Sequence, residues 1–188
     1  EPISPARPPV PFRASLAFAE ALTRQAHILD AVTRITGDLC TVLSQERKGA
    51  RRMMLQLFRV DGEVTRLRAG TGIATHDAAH LARLFHEKLA LLGDDFDPGF
   101  GIEAIELACL AADPLAPAQS GFEGGADHEA ELEKFVDRVS NRFGAERLLR
   151  LAPRASHVPE RAAMPVPALQ GVTPAIKGWK THLDEHRA

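Results

Sequence analysis

The sequence predicts an α+β domain with a four-stranded antiparallel sheet, two helices on one face of the sheet, and a C-terminal helical extension. Three observations predict it. Apolar residues alternate in two segments as they do in strands, an Asp-Gly pair marks a hairpin between two further strands, and two segments repeat apolar residues every three or four positions. With 188 residues, 45% of them hydrophobic, the chain is long enough to bury the core of one such domain.

The first strand and the first helix follow a proline-rich start. Five prolines among the first eleven residues predict an extended linker over 1–12, and the folded domain is expected over 13–115. In the strand "FRASLAFAEAL", Leu16 lies on the side opposite Arg13, so one side is expected to be buried. Apolar residues then recur at helical spacing from 28 to 43, and Gly49 is expected to end this helix.

The hairpin, the second helix and the last strand complete the domain. Asp61-Gly62 in "RRMMLQLFRVDGEVTRLRAGT" predicts a tight turn between two strands. The segment "DAAHLARLFHEKLALLG" carries one apolar helical stripe, and Pro98-Gly99 supplies a turn into the alternating "GIEAIEL". The resulting order, β-α-β-β-α-β, is that of the split-βαβ arrangement.

Residues beyond this domain predict an extension of lower regularity. A connector rich in Pro, Gly and acids is expected over 116–127, and a helix with a short strand, "RLLRL", over 128–152. A Pro-rich tail over 153–188 is expected to cover surface without building a core. The residues expected on the buried face of the helix are Leu132, Phe135, Val136, Val139 and Phe143.

The composition points to a cytoplasmic protein that does not enter membranes. No apolar run approaches the ~20 residues needed to span a bilayer, and the N-terminal text is not that of a signal peptide. Cys40 and Cys109 each lie inside an apolar periodic segment. We therefore expect free, buried thiols in a reducing compartment, in preference to a disulfide or a metal site.

Two groups of residues raise the possibility of metal chemistry. His76 and His80 have the i, i+4 spacing of a zinc-binding pair, and the alternative is a pair of exposed surface histidines, which we favour. Four carboxylates offer oxygen ligands but lack the spacing of a calcium loop, so a solvated turn is favoured for Asp94, Asp95, Asp97 and Glu103. The sequence predicts no catalytic residue, no metal site and no cofactor.

Charge is distributed unevenly along the chain. Residues 1–72 carry 11 Lys and Arg against 7 Asp and Glu, whereas 73–188 carry 12 against 18. Eleven acids and no Lys or Arg lie between Asp94 and Glu133, so that stretch cannot follow a phosphate backbone without repulsion. Any nucleic acid is expected to meet another surface, and the acidic stretch suits a basic protein partner.

The sheet face that the helices leave uncovered is the predicted DNA-binding surface. Arginine side chains and one glutamine would line it, contacting phosphates with a strong dependence on salt. The predicted residues are Arg13, Gln56, Arg66 and Arg68, with Lys48, Arg51 and Arg52 at the corner between helix and strand. Two alternatives remain open: a solvated sheet face, and a ligand-sensing or dimerising module in which a second copy buries Met54 and Phe58.

Three stretches carry a resemblance to a known family. The words "HLARLFHEKL", "DFDPGFGIEAIELACLAADPL" and "RASHVPERA" together resemble the ImuB family, bacterial paralogues of Y-family translesion DNA polymerases. The resemblance runs from the N-terminus to about residue 163. It implies a little-finger, or polymerase-associated, domain that holds primer-template duplex DNA against its open sheet, followed by the start of a C-terminal extension.

The resemblance also implies a role without catalysis. ImuB-like proteins are expected to lack the catalytic carboxylates of active polymerases and to serve in DNA-damage mutagenesis and repair as hubs. Their implied partners are a RecA-like ImuA protein, an error-prone replicative-type polymerase and the sliding clamp. The palm and fingers of a polymerase are not in this sequence, so the chain is predicted not to be an enzyme.

The connector departs from the family at the position of a clamp-binding peptide. Relatives carry a Gln-Leu-x-Leu-Phe type of peptide, whereas this chain reads "QSGFE" over 119–123. Only Gln119 and Phe122 match the anchoring glutamine and an apolar side chain. The alternative is a flexible linker.

Overall fold

The structure, a computed structural model, describes residues 12–92, 99, 101–115 and 125–169. The regular elements within these residues are β1 (Phe12–Leu22), α1 (Gln25–Gln45), β2 (Lys48–Arg59), β3 (Val64–Thr75), α2 (Ala78–Leu92), β4 (Ile102–Pro114), α3 (Gly125–Phe143), β5 (Leu149–Pro153) and β6 (Ala163–Pro167). A short 3-10 turn, Pro159–Arg161, precedes β6. None of the described helices is long and apolar enough to cross a membrane.

The main sheet confirms the predicted α+β fold and element order. Its four strands are antiparallel in the order β1-β4-β2-β3, so the first and last strands of the β-α-β-β-α-β unit are neighbours. The helices α1 and α2 pack together on one face. Alternation along the strands puts Leu55, Leu57 and Leu107 on that face, where each is fully buried.

Helix α1 buries the apolar stripe that predicted it, but it ends earlier than predicted. Its stripe of Ile28, Ile35 and Leu43 is fully buried. The helix stops at Gln45 because Arg47 adopts a φ of 52°, and β2 begins at Lys48. Gly49 is therefore a strand residue and not the helix terminator; a side chain there would overlap the backbone of Thr75.

The predicted hairpin is confirmed, and its turn is held by one arginine. Gly62 has a φ of +86°, which a glycine adopts without strain. The Arg59 guanidinium donates to Asp61 Oδ2 at 2.6 Å and to Glu63 Oε2 at 2.7 Å. These contacts hold the turn between β2 and β3 closed.

The two cysteines are free and buried, as predicted. Cys40 lies on α1 and Cys109 on β4, both within the core beneath the helices. Burial raises the pKa of the Cys40 thiol to about 11 and also raises the pKa of Cys109. Both side chains therefore act as small apolar core residues at neutral pH.

Helix α3 is where the predicted burial pattern is wrong. The side chains of Leu132, Phe135 and Phe143 are 60%, 56% and 57% exposed, whereas Asp137 and Ser140 are buried. The helix lies against the outer edge of β3, whose backbone N–H and C=O groups need hydrogen-bond partners, so polar side chains face the domain. After it, the predicted strand "RLLRL", residues 147–151, is present two residues further along as β5, which pairs with β6 in a separate two-stranded sheet.

Candidate nucleic-acid interface

The sheet face turned away from α1 and α2, here called the open face, is built from alternate residues of all four strands. Cross-strand pairing arranges these residues in rows that run from β1 through β4 and β2 to β3. The first row, which lies in the middle, contains Ser15, Glu106, Gln56 and Arg66. The second row, on one side of it, contains Arg13, Ala108, Met54 and Arg68. The third row, on the other side, contains Ala17, Ala104, Phe58 and Val64. The register thus brings residues distant in sequence into one surface.

The structure brings Arg13, Gln56, Arg66 and Arg68 together on this face. The three arginines are exposed and Gln56 is half-buried. Arg13 Nη1 lies 3.6 Å from Glu106 Oε2, so its charge is partly compensated. Within the part of the chain that the structure describes, Arg66 and Arg68 have no carboxylate at ion-pair distance.

The three predicted corner residues separate into different environments. Arg52 is exposed. Its backbone pairs with Gly70 of β3, which places it beside the second row. Arg51 is instead held by the fold: its Nε lies 3.2 Å from Asp113 Oδ2, and its guanidinium donates to the carbonyl of Gly72. The Lys48 ammonium lies 5.2 Å from the centre of the Phe12 ring.

Sequence reasoning overlooked an acid in the middle of the open face. Glu106 lies between Ser15 and Gln56, and its side chain is 26% exposed. Alternation along β4 places Glu106 on the same side as Ala104 and Ala108, so the sequence carried a signal for its face. Its position beside Gln56 depends on the strand register, which no single segment reveals.

The two middle strands of the open face carry a mixed patch, in which Gln56 and Glu106 lie between two apolar pairs. Met54 and Phe58 are half-buried, and Ala104 and Ala108 flank them on β4. Arginines of β1 and β3 border this patch on both sides. A surface with a mixed polar and apolar centre and a cationic border suits the sugar and phosphate edges of a nucleic acid, and it also suits a second protein surface.

A groove of about 980 Å³ continues from the open face toward the C-terminal extension. Residues that line it include Arg52, Arg68, Lys88, Ser140, Asn141 and Leu169. The Lys88 ammonium donates to the carbonyl of Asn141 at 2.8 Å, and burial lowers the pKa of this lysine. Lys88 therefore joins α2 to the end of α3, whereas Arg52 and Arg68 connect the groove to the open face.

Side chains of α3 take the place of a further strand at the edge of β3. Gly72 N–H donates to Asp137 Oδ1 at 2.6 Å, and Asn141 bonds both backbone groups of Gly70. The other oxygen of Asp137 shares a 2.9 Å hydrogen bond with His80 Nε2. These bonds satisfy part of the exposed edge that an outer strand presents.

The favoured interpretation of His80 as a surface residue is wrong. Its side chain is 5% exposed and is paired with Asp137, whereas His76 is exposed. Among the described residues no group of three or more His, Cys, Asp and Glu side chains is placed to hold a metal ion. Glu103 is exposed on β4; the other predicted acids of that group, Asp94, Asp95 and Asp97, lie outside the described residues, as do Gln119 and Phe122.

Comparisons with known proteins give a sequence match and a structural match. No family model matches the chain. Protein ImuB from two strains of Caulobacter vibrioides, NA1000 / CB15N and ATCC 19089 / CIP 103742 / CB 15, is 35% identical over 162 residues. The match covers 85% of this chain, which spans 34% of the length of these curated relatives.

A solved complex of the β-clamp processivity factor and the little finger domain of PolIV also matches. Its TM-score is 0.43 at 14% sequence identity, and the match covers 59% of this chain and 96% of that chain.

Proposed function

This chain is related to the ImuB family over 85% of its length, and from that relationship we propose that it binds duplex DNA with the open face of its sheet. The chain is the DNA-holding part of a polymerase-like protein that acts in translesion synthesis. It works by binding and tethering, with no chemical step of its own. The palm and fingers of such a protein lie outside this sequence, which spans 34% of the relatives' length.

One observation carries the proposal. Arg52, Arg66 and Arg68 are exposed on β2 and β3, and the described residues give none of them a carboxylate at ion-pair distance. Arginines without a partner can release counterions from phosphates, which is the main source of affinity in non-specific DNA binding. The arginines share one face with the half-buried Gln56, which can hydrogen-bond to phosphate or sugar oxygens.

The contacts around the open face favour some of the predicted residues over others. Arg51 holds Asp113 and the backbone of β3, so we assign it to the stability of the sheet corner. Lys48 packs over Phe12 and contributes at the periphery. Arg13 contributes less than Arg68, because Glu106 already neutralises part of its charge.

The proposal also includes protein partners of the longer protein to which this chain is related. We further propose a RecA-like ImuA protein, an error-prone replicative-type polymerase and the sliding clamp as partners, as the resemblance to the ImuB family implies. Gln119 and Phe122 are the proposed clamp contacts of this chain. A binding assay with purified clamp and the Gln119→Ala/Phe122→Ala variant tests this part separately from DNA binding.

The test of the main proposal is binding of a fluorescent primer-template DNA over a series of salt concentrations. The chain is compared with Arg66→Ala/Arg68→Ala and with a matched control, Arg34→Ala/Arg83→Ala, which removes two exposed arginines from the helical side. We expect the open-face variant to bind more weakly and to lower the slope of log K against log salt by about 2, since each phosphate contact contributes ~0.9. The control is expected to keep the slope of the unchanged chain.

Equal loss in both variants would show that only total charge matters and would remove the open face from the proposal. The alternative function, a dimerising module, rests on half-buried Met54 and Phe58 at the centre of the same face. It predicts a dimer by sedimentation that Phe58→Glu disrupts, with no binding of DNA at low salt. That pair of results would replace the DNA-binding proposal.

A further inference from the structure

The groove between the open face and the C-terminal extension holds more cations than its own carboxylates neutralise. The charged residues that line it are Arg51, Arg52, Arg68, Lys88, Asp113 and Glu146. Arg51 and Asp113 already pair with each other, at 3.2 Å. Three cations then remain against one carboxylate, that of the exposed Glu146, so the groove attracts anions.

Lys88 supplies the positive charge on the helical side of the groove. Its ammonium donates to the carbonyl of Asn141 at 2.8 Å, and the described residues place no carboxylate within ion-pair distance of it. The carbonyl end of α3 would otherwise repel an anion, and Lys88 offsets this effect. Burial lowers the pKa of Lys88, so an anion in the groove would stabilise the charged form of this lysine.

Ser140 adds a hydroxyl without a partner to the same groove. The residue lines the groove and is 2% exposed, and among the described side chains and backbone groups its Oγ finds no hydrogen-bond partner. A buried hydroxyl is ordinarily hydrogen-bonded, because burial removes it from water. Ser140 directly precedes Asn141, whose carbonyl holds Lys88, so an oxygen of a bound anion would give this hydroxyl an acceptor beside a cation.

We propose that this groove binds a backbone phosphate of the same DNA that lies on the open face, and so extends the DNA contact onto the end of α3. The inference rests on the proposed function, since the open face must first hold the DNA. Arg68 belongs to the second row of the open face and also lines the groove, with Arg52 beside it. A strand held by these two arginines therefore passes from one surface to the other without a gap in positive charge.

The rest of the lining suits the backbone of a strand and not its bases. Within the part of the chain that the structure describes, no aromatic side chain lines the groove, so no base can stack there on an aromatic ring. Leu110 is 40% exposed and offers an apolar contact to a deoxyribose. The volume of about 980 Å³ is large enough for a phosphate with its neighbouring sugars.

Substitutions in the groove that leave Arg68 in place test the proposal. Ala145→Glu adds a carboxylate at a half-buried position of the lining, and Ala145→Gln is a control of equal size without charge. We expect Ala145→Glu to bind fluorescent primer-template DNA about three- to tenfold more weakly than Ala145→Gln at low salt, a difference that added salt reduces. Circular dichroism and urea unfolding of both variants show whether the fold is kept.

Two further variants test the groove without adding bulk to it. Glu146→Gln removes its unpaired carboxylate and should bind the same DNA about two- to threefold more tightly at low salt. Glu160→Gln, at an exposed position on the 3-10 turn outside the groove, is the control and should change affinity little. Ser140→Ala should weaken binding and leave the slope of log K against log salt unchanged, because a hydroxyl carries no charge.

Arg66→Ala separates this inference from the proposed function, because Arg66 lies on the open face and does not line the groove. Weaker binding by Arg66→Ala, with equal affinities of Ala145→Glu and Ala145→Gln and no gain in Glu146→Gln, would overturn the groove inference alone. Failure of the unchanged chain to bind DNA at low salt would overturn both proposals. Inorganic pyrophosphate supplies a free phosphate source: amide NMR shifts at Gly144 and Ala145 caused by pyrophosphate but not by DNA would also overturn the inference.

Discussion

The side-chain amide of Asn141 forms two hydrogen bonds with the backbone of one residue, Gly70. Its Nδ2 donates to the Gly70 carbonyl at 2.6 Å, and its Oδ1 accepts from the Gly70 N–H at 3.0 Å. An amide side chain is shaped like a peptide group, so Asn141 pairs with β3 as a residue of a fifth strand would. This relationship fixes α3 to the edge of the sheet and explains why the buried face of this helix is polar.

Replacing Asn141 by Ala is expected to weaken α3 docking without unfolding the sheet. Two backbone groups of Gly70 would lose their partner, and we expect the free energy of unfolding to fall by about 1–3 kcal/mol. Hydrogen exchange at the Gly70 amide should accelerate more than exchange in the middle of β4, which follows the change in global stability alone. Arg142→Ala, at the exposed neighbouring position, is the control and should leave both quantities unaltered.

Asp77 links helix α2 to stability at low pH. Its Oδ1 accepts from the backbone N–H of His80 at 3.0 Å, which caps the helix, and Lys134 Nζ lies 3.2 Å from Oδ2. The hydrogen bond from His80, followed by Lys134, lowers the pKa of Asp77 below its usual value near 3.8. A lowered pKa means that this stabilisation is present above about pH 4 and is lost as the pH falls through the folded-state pKa.

The Asp77→Ala variant should therefore be less stable than the unchanged chain at pH 7, by about 0.5–2 kcal/mol, the usual value of a helix cap. The difference should shrink as the pH falls below 4, because the unchanged chain then loses the same charged cap. Urea unfolding of both chains between pH 3 and 7 measures it. A difference that stays constant over this range would show that the charge of Asp77 does not contribute.

Local patterns were enough to predict the core of the fold. Alternation in β1 and β4, the Asp61-Gly62 turn and the stripes of two helices depend on neighbouring residues, and each was confirmed. Helix α3 could not be predicted in the same way. Its pattern shows which residues are apolar. The backbone groups to which Asp137 and Asn141 bond, those of Gly72 and Gly70, lie 65 and 71 residues earlier in the sequence, so no local pattern reveals that these polar residues face the domain.

The candidate site shows the same limit. Alternation assigned Arg66 and Arg68 to one side of β3, and the structure places them with Arg13 on the open face. The sequence could not show that Glu106 stands within 3.6 Å of Arg13, or that Arg51 is held by Asp113. The first contact depends on the register between β1 and β4, and the second on an irregularity in the pairing of β2 between Ala50 and Arg52.

The Cys40 thiol is expected to make the fold sensitive to alkaline pH. Burial raises its pKa to about 11 from an ordinary 9.0, so the folded chain holds this proton more tightly than the unfolded chain does. The stabilisation is complete below pH 9 and is lost as the pH rises toward 11. Cys40→Ala should reduce the alkaline loss of stability, and a thiol reagent at pH 8 should label Cys40 only after the chain unfolds. Rapid labelling of the folded chain would contradict the prediction.

Charge at the centre of the open face sets the affinity for DNA in the proposed function. Glu106 lies between the arginines of β1 and β3 and would repel a phosphate backbone held by them. We expect Glu106→Gln to bind primer-template DNA roughly two- to fivefold more tightly at low salt, a difference that shrinks as salt screens the charges. Asp38→Asn, which removes an exposed acid from α1 on the helical side, is the control and should change affinity little.

The ion pair between Arg13 and Glu106 makes a further, directional prediction. Arg13→Ala removes a cation but also frees Glu106, so in the unchanged background it should weaken DNA binding. In the Glu106→Gln background Arg13 has no acid to neutralise and is fully available to phosphate, so the same substitution should cost more binding free energy than in the unchanged background. A double-mutant cycle on binding measures the coupling between the two residues. A coupling of zero, with DNA binding intact, would mean that the 3.6 Å contact has no influence on the interface and that Arg66 and Arg68 act alone.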